Sequence, residues 1–157
     1  MSVTKDKRTP TEPRFETGEK FKALCVYTVQ VCKNEKNFPK RDRWLLTQEI
    51  VKAAVKAYGH VVEANNIEVK TMDDYCLRRQ HQVKARTKLK KLNAYAEIAL
   101  LVLDLDASKI NTWQEYVSSC REMLAKWRDS DRKRFKKVID KAKDGNTGNG
   151  LTIQAHS

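Results

Sequence analysis

Glycine and proline are scarce in this sequence of 157 residues, which holds five Gly and three Pro, most of them near the two ends. Between Gly18 and Gly145 only Pro39 and Gly59 interrupt the chain. An interior so poor in breakers excludes a turn-rich β fold and points to long helices. Long apolar runs are also lacking. The longest, Ile98–Leu103, has six residues, against the roughly 20 that a membrane span requires. Residues 1–20 mix both signs of charge without an apolar block, so no signal peptide is visible. The expectation is a soluble, cytoplasmic protein with no membrane partner.

Paired cysteines are missing too. Cys25, Cys32, Cys76 and Cys120 form no C-x-x-C motif, which argues against a structural zinc site or a redox pair. Three of them fall on apolar helical stripes, and Cys76 lies between Tyr75 and Leu77. All four therefore read as small core hydrophobes in a reducing compartment. Reactive groups are equally thin. The histidines are His60, His81 and His156, and there is no Walker loop, no G-x-G-x-x-G and no nucleophile motif. A di-iron bundle repeats Glu-x-x-His on two helices, whereas this chain has one reversed His60-x-x-Glu63. No catalytic residue, metal or cofactor is expected, and the protein does not read as an enzyme.

What the sequence does contain is helical periodicity. Phe21, Leu24, Cys25, Thr28, Val31 and Cys32 recur at helical spacing, and Phe38-Pro39 ends that segment. From Lys40 or Arg41 a second helix carries two apolar faces. One holds Trp44, Thr47, Val51, Ala54, Val55, Tyr58 and Val62, and the other Leu46, Ile50, Ala53, Ala57, Val61 and Ala64. Only a narrow stripe of Glu49, Lys52, Lys56 and Glu63 stays polar. A helix this apolar is either central to a bundle or meets another subunit. Thr71-Met-Asp-Asp74 resembles a capping box that opens a third helix from Met72 to Leu103. Thr112-Trp-Gln-Glu115 predicts the start of a fourth, whose weak continuation through Phe135, Val138, Ile139 and Ala142 means that it either extends or breaks near Ser130 and restarts. The chain divides into a flexible N-terminal tail (1–18), a folded unit (19–143) with a basic C-terminal helical extension, and a disordered Gly/Asn-rich tail (144–157). Long helices with short connections imply an all-α fold, an antiparallel four-helix bundle.

Charge is the other positive feature. With 32 Lys+Arg against 20 Asp+Glu the chain carries +12. Segments 17–70, 71–103 and 104–143 each contribute +4, so the excess is spread over the bundle. Two patches are dense. Between Arg78 and Lys91, seven positive charges (Arg78, Arg79, Lys84, Arg86, Lys88, Lys90, Lys91) occupy 14 residues with no acid. Arg132, Lys133, Arg134, Lys136 and Lys137 put five in six, flanked by Asp129, Asp131 and Asp140. Lys84, Lys88 and Lys91 share one side of a helix, as do Arg79 and Arg86. Such rows suit a phosphate backbone, where each contact releases counterions and arginine can bind bidentately. The candidate nucleic-acid-binding residues are Arg78, Arg79, Lys84, Arg86, Lys88, Lys90, Lys91, Arg132, Lys133 and Arg134. The stretch from Arg78 to Gln82 leaves the third helix almost nothing apolar to bury, so that end either protrudes or faces a polar surface.

Some of these segments form a familiar order. Phe38, Pro39, Lys40, Arg43, Trp44, Leu46, Gln48 and Ile50, then Leu89, Leu92, Tyr95 and Ala99, and finally Met123, Leu124 and Trp127 follow one pattern of order and spacing. It resembles the accessory variability determinant proteins of diversity-generating retroelements and, more distantly, the bundle proteins of ribosomal RNA intervening sequences. The resemblance covers about residues 20–128, and the basic stretch 129–143 and the Gly-rich tail lie beyond the usual family end.

That resemblance implies a non-catalytic four-helix bundle assembled as a pentameric barrel with a basic surface. It implies binding to a reverse transcriptase and a structured template RNA in support of mutagenic retrohoming. The apolar face Leu46, Ile50, Ala53, Ala57 and Val61 would then supply the subunit interface, and five copies would carry about +60, a strong field for RNA. The alternative from the same resemblance is a protein–protein scaffold of the intervening-sequence type without an RNA role.

Overall fold

A computed structural model describes residues 15–40, 43–103 and 105–154. Among them the chain is all-helical, without a strand: α1 (Glu16–Lys33), α2 (Arg43–Asn66), α3 (Met72–Leu103), α4 (Ala107–Arg134) and α5 (Lys136–Gln154). α1 packs on α2 and α4, and α3 closes the circuit between α2 and α4, while α5 touches α3. One apolar core fills the space between the first four helices. No described helix is long and apolar enough to cross a membrane.

The helix ends follow from local chemistry. At α3 the backbone N–H of Asp74 donates to Thr71 Oγ1, while the Asp74 carboxylate accepts from the N–H groups of Thr71 and Lys70 at 3.0 and 3.1 Å. This is the reciprocal box expected from the sequence, with Asp in place of the usual Glu. Those bonds to the anion hold the Asp74 carboxyl below its ordinary range. The expected start of α4 at Thr112 is corrected. The helix opens at Ala107, and its cap is Asp106, six residues before Thr112; the Asp106 carboxylate accepts from the Ser108 N–H at 3.0 Å. Thr112 lies inside, and its hydroxyl donates back to the Ser108 carbonyl at 2.9 Å. A capping-box pattern in mid-helix lost to an earlier, ionised cap.

The tail boundaries also shift. α1 begins at Glu16, with Thr17 and Gly18 buried. A Cβ on Gly18 would sit 2.6 Å from the Phe15 ring, and that ring makes an edge contact with Trp127 at 4.9 Å. The remainder of the 1–18 tail, residues 1–14, lies outside the described residues. At the other end, α5 carries helical backbone to Gln154 through Gly145, Gly148 and Gly150, because a nucleated helix propagates more easily than it starts. Residues 155–157 lie outside the described part.

The core resolves its polar members in pairs. Fully buried Trp113 donates from Nε1 to Thr28 Oγ1 at 2.9 Å, and the Thr28 hydroxyl passes its own hydrogen to the Leu24 carbonyl at 2.7 Å. A buried indole N–H without a partner would cost a few kcal/mol, about 1–3. Cys25 Sγ donates to the Ala54 carbonyl at 3.0 Å, joining α1 to α2. Burial pushes the thiols of Cys25, Cys32 and Cys120 up to about 11, 12 and 12. Cys76 departs from expectation because it is exposed. Its neighbours Tyr75 and Arg78 take the inward positions on that turn.

The proposed subunit face is corrected as well. Ile50, Ala57 and Val61 are 0% exposed, Ala53 is buried, and Leu46 packs against them half-buried. These residues form the chain's own core, so they are not free to meet another subunit. Among the described side chains of α2, the exposed large hydrophobics are Val55 and Val62, 52% and 38% exposed. Gly59, between them, has nothing within 4 Å of a would-be Cβ.

Candidate nucleic-acid interface

The polar start of α3 neither protrudes nor faces an open surface. Arg78 turns inward, 4% exposed, and binds Asp131 of α4 through Nε at 2.6 Å and Nη2 at 2.9 Å. Gln82 Nε2 donates to the same carboxylate at 2.8 Å. The third guanidinium nitrogen, Nη1, reaches the Ala64 carbonyl at 3.1 Å, near the C-terminus of α2 where carbonyls lack helical partners. The guanidinium also lies 4.9 Å from the Trp127 ring centroid and 5.6 Å from that of Phe135. Arg78 is therefore a structural tie between three helices, and it is withdrawn from the candidate phosphate contacts. Burial of Asp131 has a second consequence, since one of the acids that flank the Arg132–Lys137 patch in sequence is absent from the surface.

Four of the remaining positive charges of α3 join clusters on its two sides. Toward α2, Lys88 and Lys91 meet Lys52 and Lys56 around a cleft of about 170 Å³, also lined by Glu49, Ala53 and Tyr95. The charge of Lys91 above all, then burial, then Lys56, holds the Lys88 ammonium below its ordinary range. Four cations beside one carboxylate repel one another, and an anion in the cleft relieves that repulsion. Toward α4, half-buried Arg128 is depressed first by burial, then by the charges of Arg79, Arg86 and Arg132. Its Nε is buried without a hydrogen-bond partner among the described residues.

The other candidates differ in exposure and contacts. Lys84, Arg86, Lys90 and Lys91 are exposed, with Arg79 half-buried. Arg132 and Lys133 are exposed and share Asp129 at 4.0 and 3.5 Å. Exposed Arg134 has its guanidinium 5.1 Å from the Phe135 ring centroid. Sequence reasoning missed Lys52, Lys56 and Arg128. The lysines belong to the narrow polar stripe of α2, and their i, i+4 spacing matches that of Lys84 and Lys88. Nothing in the spacing marked Arg128.

Further along the α2–α3 seam lies a third cluster. His60 Nδ1 and His81 Nδ1 stand 3.1 Å apart, and Glu63 Oε2 is 2.9 Å from His81 Nδ1 and 3.5 Å from His60 Nδ1. Burial lowers the His60 pKa, the charges of His81 and Lys84 push the same way, and Glu63 opposes them. His60-x-x-Glu63 was visible on α2, but its third member comes from another helix.

Neither known protein-family profiles nor curated protein sequences match this chain. Most residues that carry the sequence resemblance are packing residues. Phe38, Ile50, Leu89, Leu92, Ala99 and Leu124 are all buried in the core, and Leu46, Tyr95 and Trp127 pack against it. They speak to architecture, whereas the chemistry available to a partner is the basic surface on either side of α3.

Proposed function

We propose that the protein is a non-catalytic, cytoplasmic RNA-binding accessory factor of the accessory variability determinant type. It binds structured template RNA through the α3 surface and works with a reverse transcriptase during mutagenic cDNA synthesis. The observation that carries the RNA role is the pair of cationic clusters flanking α3: Lys52, Lys56, Lys88 and Lys91 on one side, and Arg79, Arg86, Arg128 and Arg132 on the other. Two rows on adjacent sides of one helix can follow the two strands of a folded RNA, which proteins recognise largely through shape and backbone. The reverse transcriptase partner rests on the sequence resemblance between residues 20 and 128.

The fold assigned with this function is an antiparallel four-helix bundle. The register along α2 and α3 supports it, since Glu63 meets His81 while Lys56 and Lys52 meet Lys88. A pentamer is part of the same proposal, with its α2 contact moved outward to Val55, Gly59 and Val62. The scaffold alternative draws on exposed Ile98, Leu101 and Val102 at the end of α3, which offer an apolar contact to a protein partner.

Titration of a structured RNA at several salt concentrations tests the RNA role. Affinity that falls steeply with salt, and that drops when Lys88 and Lys91 are reversed to Glu with helicity retained, is the expected result. Affinity indifferent to salt refutes phosphate contact and leaves the scaffold reading.

A further inference from the structure

We propose that His60, Glu63 and His81 form a binding site for one divalent first-row transition-metal ion, with zinc the fitting physiological candidate. The donor atoms His60 Nδ1, His81 Nδ1 and Glu63 Oε2 form a triangle with edges of 3.1, 2.9 and 3.5 Å. An ion holding its ligands at about 2.0–2.1 Å separates neighbouring donors by about 2.9 Å at octahedral angles and about 3.3 Å at tetrahedral ones. The three edges span that range, so one ion can be seated on the triangle with small side-chain adjustments. The set brings two imidazoles and one carboxylate together, a combination that suits zinc, copper, nickel or iron better than calcium or magnesium.

Without a metal, a hydrogen on His81 Nδ1 can be donated to the Glu63 carboxylate at 2.9 Å or to His60 Nδ1 at 3.1 Å, according to the tautomers of the two rings. With an ion bound, both rings carry their hydrogen on Nε2 and present lone pairs from Nδ1. His60 and Glu63 sit one turn apart on α2 and His81 projects from α3, so the ion would link two helices at the end of the lysine seam. The rings are largely shielded, with side chains 21% and 18% exposed, while Glu63 is 59% exposed. Solvent therefore reaches the remaining coordination positions, as in sites of three protein ligands that keep water. The nearby charge of Lys84 opposes an added cation, and affinity below that of a closed four-ligand site follows.

The test uses the full chain, freed of metal and titrated with Zn²⁺ by calorimetry, and with Co²⁺ followed by visible absorption. The expected result is one ion per chain, a rise in melting temperature, and cobalt ligand-field bands. His81→Ala and His60→Ala should each weaken binding by at least tenfold, and Glu63→Gln by about tenfold. Glu63 is exposed, so the Gln variant keeps the question answerable if a histidine variant fails to fold. Absence of saturable binding at micromolar Zn²⁺ overturns the site. So does binding that survives His81→Ala but is lost on Cys76→Ser, which would place the ion at the exposed thiol.

Discussion

Replacing Arg78 should damage folding and leave RNA affinity nearly intact, the reverse of what its place in a basic run suggests. The Arg78 and Asp131 side chains are 5% and 4% exposed and joined by bonds of 2.6 and 2.9 Å. Removing one partner of such a pair leaves a charge buried and uncompensated, a loss of about 3–5 kcal/mol. Among the described residues, Arg78→Met leaves the Asp131 carboxylate with Gln82 as its side-chain donor and leaves the Ala64 carbonyl without its guanidinium donor. For a chain of this size the loss corresponds to a fall of about 6–20 °C in melting temperature, or roughly a hundredfold or more in the unfolding constant. Thermal and urea unfolding followed by circular dichroism at 222 nm measure both.

The double variant Arg78→Met, Asp131→Leu removes both charges and should recover more than half of the loss, because isosteric apolar pairs often match a buried ion pair in stability. A single variant that melts within 2 °C of the parent would refute the reasoning. So would a double variant as unstable as the two single losses combined.

Other expectations follow from separate parts of the molecule. Gly59→Ala should stabilise the monomer by about 0.8–1 kcal/mol in urea melts, since the added methyl meets nothing and α2 gains helix propensity. If Gly59 lies in a subunit contact, the same variant weakens self-association in sedimentation. In native protein at pH 8, a thiol-reactive dye should label one cysteine rapidly, exposed Cys76. The raised pKa values and burial of Cys25, Cys32 and Cys120 keep those thiols slow until the chain unfolds. The caps set a pH dependence. Asp74 and Asp106 have folded pKa values below the ordinary 3.8, so each stabilises its helix above that value and loses its contribution as pH falls through the folded pKa. Asp74→Asn and Asp106→Asn should flatten the acid limb of a stability–pH curve.

The sequence carried the helices more fully than their contacts. α3 occupies the span its capping box and apolar stripe predict, because both signals are local. α4 was misplaced because Thr112-x-x-Glu115 looks the same inside a helix as at its start, and only the bond between Asp106 and Ser108 tells the two apart. On the surface, the acid-free run of α3 announced its lysines. The inward turn of Arg78 was hidden because its partner Asp131 is 53 residues away. The same distance effect concealed the His60–His81 contact, 21 residues apart, and the convergence of Lys52 and Lys56 with Lys88. The α2 face read as a subunit interface shows a further ambiguity, since apolar periodicity marks burial without saying whether the cover comes from the same chain.

The central claim, that the lysine cleft between α2 and α3 holds RNA phosphate, is tested most directly by the salt slope of binding. Each phosphate contact adds roughly 0.7–0.9 to the slope of log K against log salt. Converting Lys52, Lys56, Lys88 and Lys91 to Gln should therefore lower the slope for a structured RNA by about 3, with helicity unchanged. An unchanged slope in a folded variant would contradict the account and place any bound RNA elsewhere.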